Sequence, residues 1–359
     1  MKNKICFVIP SLNSGGAERV VSNLANVLIN DYEVHIITLS ASQPFYKLDN
    51  KICLHYCKTN IKPSTSILAA TVNNISLTKK IIEISRENKI QLLIGFMTTA
   101  NILAIISSKF LGIPVIISER NNPSMEITSK MWKTLRKYLY RLANYVVVQT
   151  KPIKDYYIKT VKEDNLIIIP NPLIINLPSK QISNDNIILN VGRLSPQKAQ
   201  DILIRAFALT QNKDWKLFIV GEGENRGKLE KLINQLNLKE QVKLIGQIND
   251  ITQIYAQAKI FAFSSIYEGF PNALIEAMYC GLPCISTNCP TGPGELINDG
   301  VNGFLSPVNE IETFAFKLNT LMHNETLRNT FANKSTETAL PFDYIKVTEK
   351  WKLLISNCI

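Results

Sequence analysis

Glu268 and Glu276 lie eight residues apart across the turn Gly269-Phe270-Pro271-Asn272. Pro271 has no N–H to leave unpaired and suits the first position of a helix, so Glu268 is expected on a loop and Glu276 inside the helix that follows. Free backbone amides and the positive end of that helix then lie between two carboxylates that seek hydroxyls, which suits a phosphate flanked by sugars. Upstream, Gly192-Arg193-Leu194-Ser195-Pro196-Gln197-Lys198 sets two cations five residues apart between a strand end and a helix start. An arginine forks onto a diphosphate and a lysine adds a compact point charge. A solvated pair at a helix start is the plain alternative, but cations there oppose the helix dipole, and an anionic ligand supplies the compensation.

Two weaker phosphate signals accompany these. Ser14-Gly15-Gly16-Ala17-Glu18 opens a helix after the first strand, where small residues admit a ligand to backbone amides. It lacks the three-glycine dinucleotide spacing, and Leu39 and Ser40 stand where an acidic residue would end the second strand. Alone, the glycine pair reads as a tight strand-to-helix turn. Cys289-Pro290-Thr291-Gly292-Pro293-Gly294-Glu295 is a second Gly/Pro loop leading into a helix.

The elements that must position these residues alternate short apolar strands with amphipathic helices. Strands are expected at 4–9, 34–39, 52–56, 92–96, 115–118, 145–148 and 166–169, then at 187–191, 216–220, 242–245, 260–263 and 284–286. Helices fall between most of them, with 198–209, 225–236 and 271–279 the clearest in the second half. Such alternation predicts an α/β protein with two doubly wound parallel sheets and ligands at the strand carboxyl ends. Prolines 170, 172 and 178 and a polar run through Asp185 mark a boundary. The expected domains are residues 1–175 and 176–342, with a helix in 343–359 crossing back to the first.

With 359 residues the chain is long for one domain and comfortable for two. Neither a run of about 18 apolar residues nor a signal-peptide core is present, so a cytoplasmic protein is expected. Seven cysteines, an odd count without an export signal, argue for reduced thiols, and the spacing of Cys280, Cys284 and Cys289 is not that of a zinc module. Charge is uneven: residues 1–180 hold 23 Lys and Arg against 11 Asp and Glu, the remainder 17 against 18. A basic first half implies an anionic partner there.

Taken together, the glycine-rich opening loop, Arg193 with Lys198, and Glu268 and Glu276 following Glu-Gly-Phe-Pro resemble the retaining GT-B glycosyltransferases of family 4, in the right order over nearly the whole chain. The resemblance implies two Rossmann-like domains facing a central cleft. It implies that Arg193 and Lys198 neutralise the diphosphate of a UDP-sugar, Glu268 holds hydroxyls of the transferred sugar and Glu276 holds the ribose. The backbone at Gly269, Phe270, Pro271, Asn272 and Ala273 would meet the diphosphate, Gly16 would let the opening loop approach donor and acceptor, and Gly246 would lie in the wall beside the base. Arg193, Lys198 and Glu268 are the residues expected to act in catalysis. No Asp-x-Asp occurs in the chain, so neither a metal nor another cofactor is expected. Where many relatives have a His after the strand at 115–118, this chain has Arg120, which cannot serve as a general base near neutral pH.

The acceptor is expected on the helix at 128–142. Lys130, Lys133, Lys137 and Arg141 form one basic stripe, and Met131, Leu135, Leu139 and Leu142 a roughly opposed apolar one. An ordinary surface helix has the same pattern; the sharper reading is a surface for anionic headgroups or a polyprenyl diphosphate. With Arg120 these cations are the acceptor and membrane residues expected of an enzyme at the inner face of the plasma membrane that extends a lipid-linked oligosaccharide, as in O-antigen, capsule or protein-glycan assembly. Nucleic acid is disfavoured, since no zinc knuckle, basic tail or strand-borne aromatic motif occurs. An epimerase or phosphorylase on the same fold, and a non-catalytic nucleotide-sugar-binding scaffold, are the competing functions.

Overall fold

The computed structural model describes residues 2–58, 67–124, 129–173, 185–248 and 250–359. The chain divides into two compact units, Met1–Pro172 with Tyr344–Ile359, and Leu173–Asp343.

The first unit runs β1 Lys4–Ile9, α1 Gly16–Leu28, β2 Glu33–Thr38, β3 Cys53–Tyr56, α2 Ile67–Glu87, β4 Leu92–Phe96, α3 Thr98–Leu111, β5 Val115–Ser118, α4 Lys130–Leu139, β6 Tyr145–Val148, α5 Lys151–Tyr157 and β7 Leu166–Ile168. All seven strands pair in parallel in the order β3-β2-β1-β4-β5-β6-β7. A parallel sheet is covered on both faces, which is why β1, β4 and β5 read as nearly unbroken apolar runs. Ile5, Phe7 and Ile9 enter the core on one face, Cys6 and Val8 the core on the other.

The second unit runs β8 Asn186–Val191, α6 Gln200–Leu209, β9 Trp215–Val220, α7 Arg226–Gln235, β10 Val242–Gly246, α8 Thr252–Gln257, β11 Ile260–Phe263, α9 Asn272–Tyr279, β12 Cys284–Thr287, α10 Pro293–Leu296, β13 Phe304–Ser306, α11 Ile311–His323 and α12 Glu325–Ala339. Its six parallel strands lie in the order β10-β9-β8-β11-β12-β13. From β8 the connections first run outward one way, to β9 and β10, then cross back to β11. A topological switch therefore lies between β8 and β11, where open α/β sheets bind ligands at the strand carboxyl ends. The corresponding switch in the first sheet lies between β1 and β4.

The final helix, α13 Tyr344–Ser356, belongs to the first unit, where Val347, Trp351, Leu354 and Ile355 pack with Phe7, Val20 and Phe96 in one core. Two local expectations fail. Lys198 does not begin a helix: Pro196–Lys198 form a 3₁₀ turn, and Ala199, at φ 45° and ψ 46°, separates it from α6. Pro271 caps α9 at φ −84° and ψ 72° instead of entering it.

Candidate active site

In the second unit the loops after β8 and β11, the strands flanking the switch, are stitched together. Gln197 Nε2 donates to the Tyr267 carbonyl at 2.9 Å, the Ile266 amide to the Gln197 carbonyl at 2.8 Å, and Ser264 Oγ to the Lys198 carbonyl at 2.8 Å. These bonds account for the turn at Lys198 and the left-handed Ala199: the chain bends to meet its neighbour before α6 starts. Lys198 is thereby delivered to Glu268, with Nζ 2.6 Å from Oε1 and 5.2 Å from the centre of the Phe263 ring. Glu268 is 5% exposed, so its only ready contact with a ligand is through the Lys198 side.

Arg193 lies on the same loop, exposed, and its side chain has no partner among the described residues. Close approach fixes the backbone beside it. A Cβ at Gly221, φ 141°, would stand 2.0 Å from the Gly192 carbonyl oxygen, and one at Gly223 2.3 Å from that of Leu194. Only glycines let the loop after β9 press on the arginine loop. Gly246 ends β10 beyond a register shift and accepts the Gly221 amide at 2.8 Å.

Glu268 is braced from the other side by the loop after β12. Its amide donates to the Pro290 carbonyl at 2.9 Å, and its own carbonyl accepts from the Thr291 amide and Thr291 Oγ1, each at 3.1 Å. Gly292, at φ 104°, packs against Pro271, whose Cδ would be 2.5 Å from an added Cβ. Gly269 and Pro271 thus hold the turn, Phe270 buries its ring against Phe342, and Asn272 and Ala273 begin α9, whose first-turn amides lack intrahelical acceptors.

Glu276, in the second turn of α9, is 6% exposed and accepts the Tyr255 hydroxyl at 3.1 Å. Tyr255 comes from α8, a helix not expected from the sequence. Its signal was present: Ile251, Ile254, Tyr255 and Ala258 follow helical apolar spacing.

In the first unit, Gly16 begins α1 and is exposed. Arg120 differs from a surface acceptor residue. It is 7% exposed, its guanidinium sits 4.6 Å from the Phe96 ring centre and 5.8 Å from that of Trp351, and Nη1 donates to Asn171 Oδ1. Nε and Nη2 find no protein partner. Burial pushes this guanidinium down to about 9, with Glu119 opposing the shift, so it stays charged at neutral pH.

Glu119 is wholly buried and accepts from Tyr140 Oη at 2.9 Å and Tyr157 Oη at 3.0 Å. Burial, followed by the Glu119 charge, pushes both phenols up, so both remain donors. Arg136 of α4 points inward, 3.9 Å from Glu119, and donates to the Pro123 carbonyl at 3.2 Å. Lys133, Lys137 and Arg141 are exposed, and Lys137 Nζ and Arg141 Cζ flank the Tyr138 ring at 5.9 and 5.7 Å. Residue 128 and the Lys130 side chain lie outside the described residues, and Leu142 is 41% exposed instead of packed with the apolar stripe. Neither Glu119 nor Arg136 was singled out from the sequence.

Two parallel α/β units with paired carboxylates and cations at a strand switch define a GT-B glycosyltransferase fold. Residues 14–176 match "Glycosyltransferase Family 4" and residues 176–338 match "Glycosyl transferases group 1". The chain belongs to this glycosyltransferase family. A Campylobacter jejuni α-1,4-N-acetylgalactosaminyltransferase, named for a GalNAc-α-(1→4)-GalNAc-α-(1→3)-diNAcBac-PP-undecaprenol acceptor, is 30% identical over 359 residues, covering 99% of this chain and 98% of that protein. A second enzyme of the same organism, an N-acetylgalactosamine-N,N'-diacetylbacillosaminyl-diphospho-undecaprenol 4-α-N-acetylgalactosaminyltransferase, is 30% identical over 96% of this chain and 97% of its own length. The UDP complex of Anabaena HepE superimposes with a TM-score of 0.83 at 24% identity, covering 99% of this chain and 100% of that structure.

Proposed function

We propose that this glycosyltransferase moves a HexNAc or hexose from a UDP-sugar to an undecaprenyl-diphosphate-linked oligosaccharide during surface-glycan assembly, with retention of anomeric configuration and without a metal. The observation that carries the reading is the Lys198–Glu268 pair at the strand switch, with Arg193 unpaired beside it. Glu268 positions sugar hydroxyls, Arg193 and Lys198 meet the diphosphate, and Glu276 meets the ribose. As the anomeric carbon–oxygen bond breaks, negative charge grows on the departing UDP. Fixed cations at that point lower the barrier; removing one such group typically costs on the order of 10²–10³ in rate.

The new bond forms between the anomeric carbon and an acceptor hydroxyl oxygen, and the departing phosphate takes that hydroxyl's proton. Glu268, committed to Lys198 and to sugar hydroxyls, is not the nucleophile. A covalent glycosyl-enzyme on any carboxylate would overturn this mechanism. The acceptor belongs to the first unit, whose α4 presents Lys133, Lys137 and Arg141, and whose basic balance suits an anionic membrane at the cytoplasmic face. The named acceptors of the Campylobacter relatives support the lipid diphosphate.

The test is a panel of UDP-sugars against a lipid-linked acceptor, with and without EDTA. Transfer from one UDP-HexNAc or UDP-hexose, unaffected by EDTA, is expected. Turnover and binding of no UDP-sugar sinks the donor assignment, and loss of transfer in EDTA sinks metal independence.

A further inference from the structure

The first unit carries a second concavity, a groove of about 820 Å³ between α2, α3 and α4. Ile75 and Ile82 of α2, Ile106 and Phe110 of α3, and Trp132 and Leu135 of α4 line it. Its volume lies in the range of small-molecule sites, about 300–1,000 Å³. Side chains of this kind are ordinarily closed over by a core, yet Phe110 is 68% exposed, Ile75 52% and the neighbouring Val72 67%. Grouped apolar exposure on one face marks a binding surface.

The surrounding charge is lopsided. The segments 67–87, 98–111 and 130–142 hold nine Lys and Arg against two Glu. Glu83 and Glu87 line the α2 wall together with Lys79 and Arg86, and Glu83 pairs with Lys80 at 3.1 Å. The excess cations therefore lie on α4 and the turn after it, at Lys133, Lys137 and Arg141. One side of α4 lines the groove with Met131, Trp132 and Leu135; the other presents the exposed lysines. An apolar channel beside a cationic helix complements an amphiphile with a long hydrocarbon chain and a multiply charged anionic head.

We propose that this groove holds the isoprenoid chain of the lipid-linked acceptor while the cations of α4 meet its diphosphate. The proposal rests on the acceptor class given under Proposed function and assigns that lipid its place. A second copy of the chain fits poorly, because pairing this face with itself opposes two cationic surfaces. A bulk phospholipid leaflet is met by a protruding apolar face, not by a concave one.

Two experiments on the full-length protein test the proposal. In the first, a photoreactive long-chain polyprenyl diphosphate without sugars is cross-linked and the labelled peptides are mapped. Label is expected on α2, α3 and α4, competed by unlabelled polyprenyl diphosphate and not by phosphatidylglycerol vesicles. Label elsewhere, or equal competition by phospholipid, overturns the assignment.

In the second, Ile106→Trp fills the groove and Phe110→Glu charges its rim. Both variants are expected to raise KM roughly tenfold for the glycan on a long polyprenyl diphosphate. KM for the same glycan on a short, water-soluble isoprenoid diphosphate, kcat and UDP-sugar binding should not move. An equal shift for both chain lengths, or none, overturns the proposal, as does a stable dimer abolished by Phe110→Glu. Cross-linking to the groove without turnover of either acceptor supports the groove and sinks the acceptor reading, so the two failures are distinguishable.

Discussion

Each carboxylate of the site is held by a residue from another element, and the sequence shows only one side of each pair. Glu268, Glu276, Arg193 and Lys198 were legible because their types and spacing within short stretches are unusual. The Lys198–Glu268 contact was not, since its partners are 70 positions apart and meet only through the stitched loops after β8 and β11. Replacing Lys198 by Met leaves Glu268 nearly buried without its cation. The expected outcome is a fall in kcat on the order of 10²–10³ with the fold retained, read by steady-state kinetics and circular dichroism; unchanged kcat would remove Lys198 from the mechanism. Tyr255→Phe deletes one hydrogen bond to Glu276, a loss of about 1–3 kcal/mol where a buried acceptor is left unsatisfied. If Glu276 grips the ribose, that loss appears in KM for the UDP-sugar and not in kcat. A change confined to kcat would place Glu276 at the reacting bond.

At the scale of elements, strands were the most readable part, because parallel strands covered on both faces are short apolar runs bounded by turns. β13 escaped notice: three residues of Phe304–Ser306 give too little pattern. In α4 every cation looks alike in sequence, but Arg136 turns inward to Glu119 while Lys133 and Lys137 face out, a distinction made by tertiary packing. Glu119→Ala strands buried Arg136 and removes the acceptor for two phenols. A loss of roughly 3–5 kcal/mol is expected in denaturant unfolding, and Lys133→Ala, on the exposed side, should change it little. The β2–β3 edge adds a pH dependence. His35 is buried beside His55, with Nδ1 3.0 Å from Nε2 and the rings stacked, and its Nε2 lies 3.2 Å from Glu33. Burial pulls both imidazoles below their ordinary value, for His55 with help from His35. The unfolded chain then binds protons that the fold refuses, so stability is present at neutral pH and lost as pH falls through about 6.5. Thermal midpoints should decline from neutral pH to about pH 5, and His55→Gln should flatten the decline.

For the molecule as a whole, the two sheets and the uneven charge were legible, while the importance of the last helix came from packing. The first unit holds 25 Lys and Arg against 12 Asp and Glu, the second 15 against 17. That asymmetry follows the division of labour proposed for acceptor and donor. The first unit is also discontinuous in sequence: α13 arrives after the entire second unit and places Trp351 in the core beside Phe96, with Arg120 against both rings. Stability of the first unit therefore depends on residues that close it only after the second has been traversed. Trp351→Ala removes a fully buried indole and one of the two rings beside a guanidinium that has little other support. Truncations of this size typically cost about 3–5 kcal/mol, a large share of a domain's stability. Denaturant unfolding followed by amide exchange should show early loss of protection in β1, β4 and β5, with β8 and β11 close to wild type. Equal loss in both sheets would mean that the units unfold as one, and no loss would mean that α13 is dispensable to the core it completes.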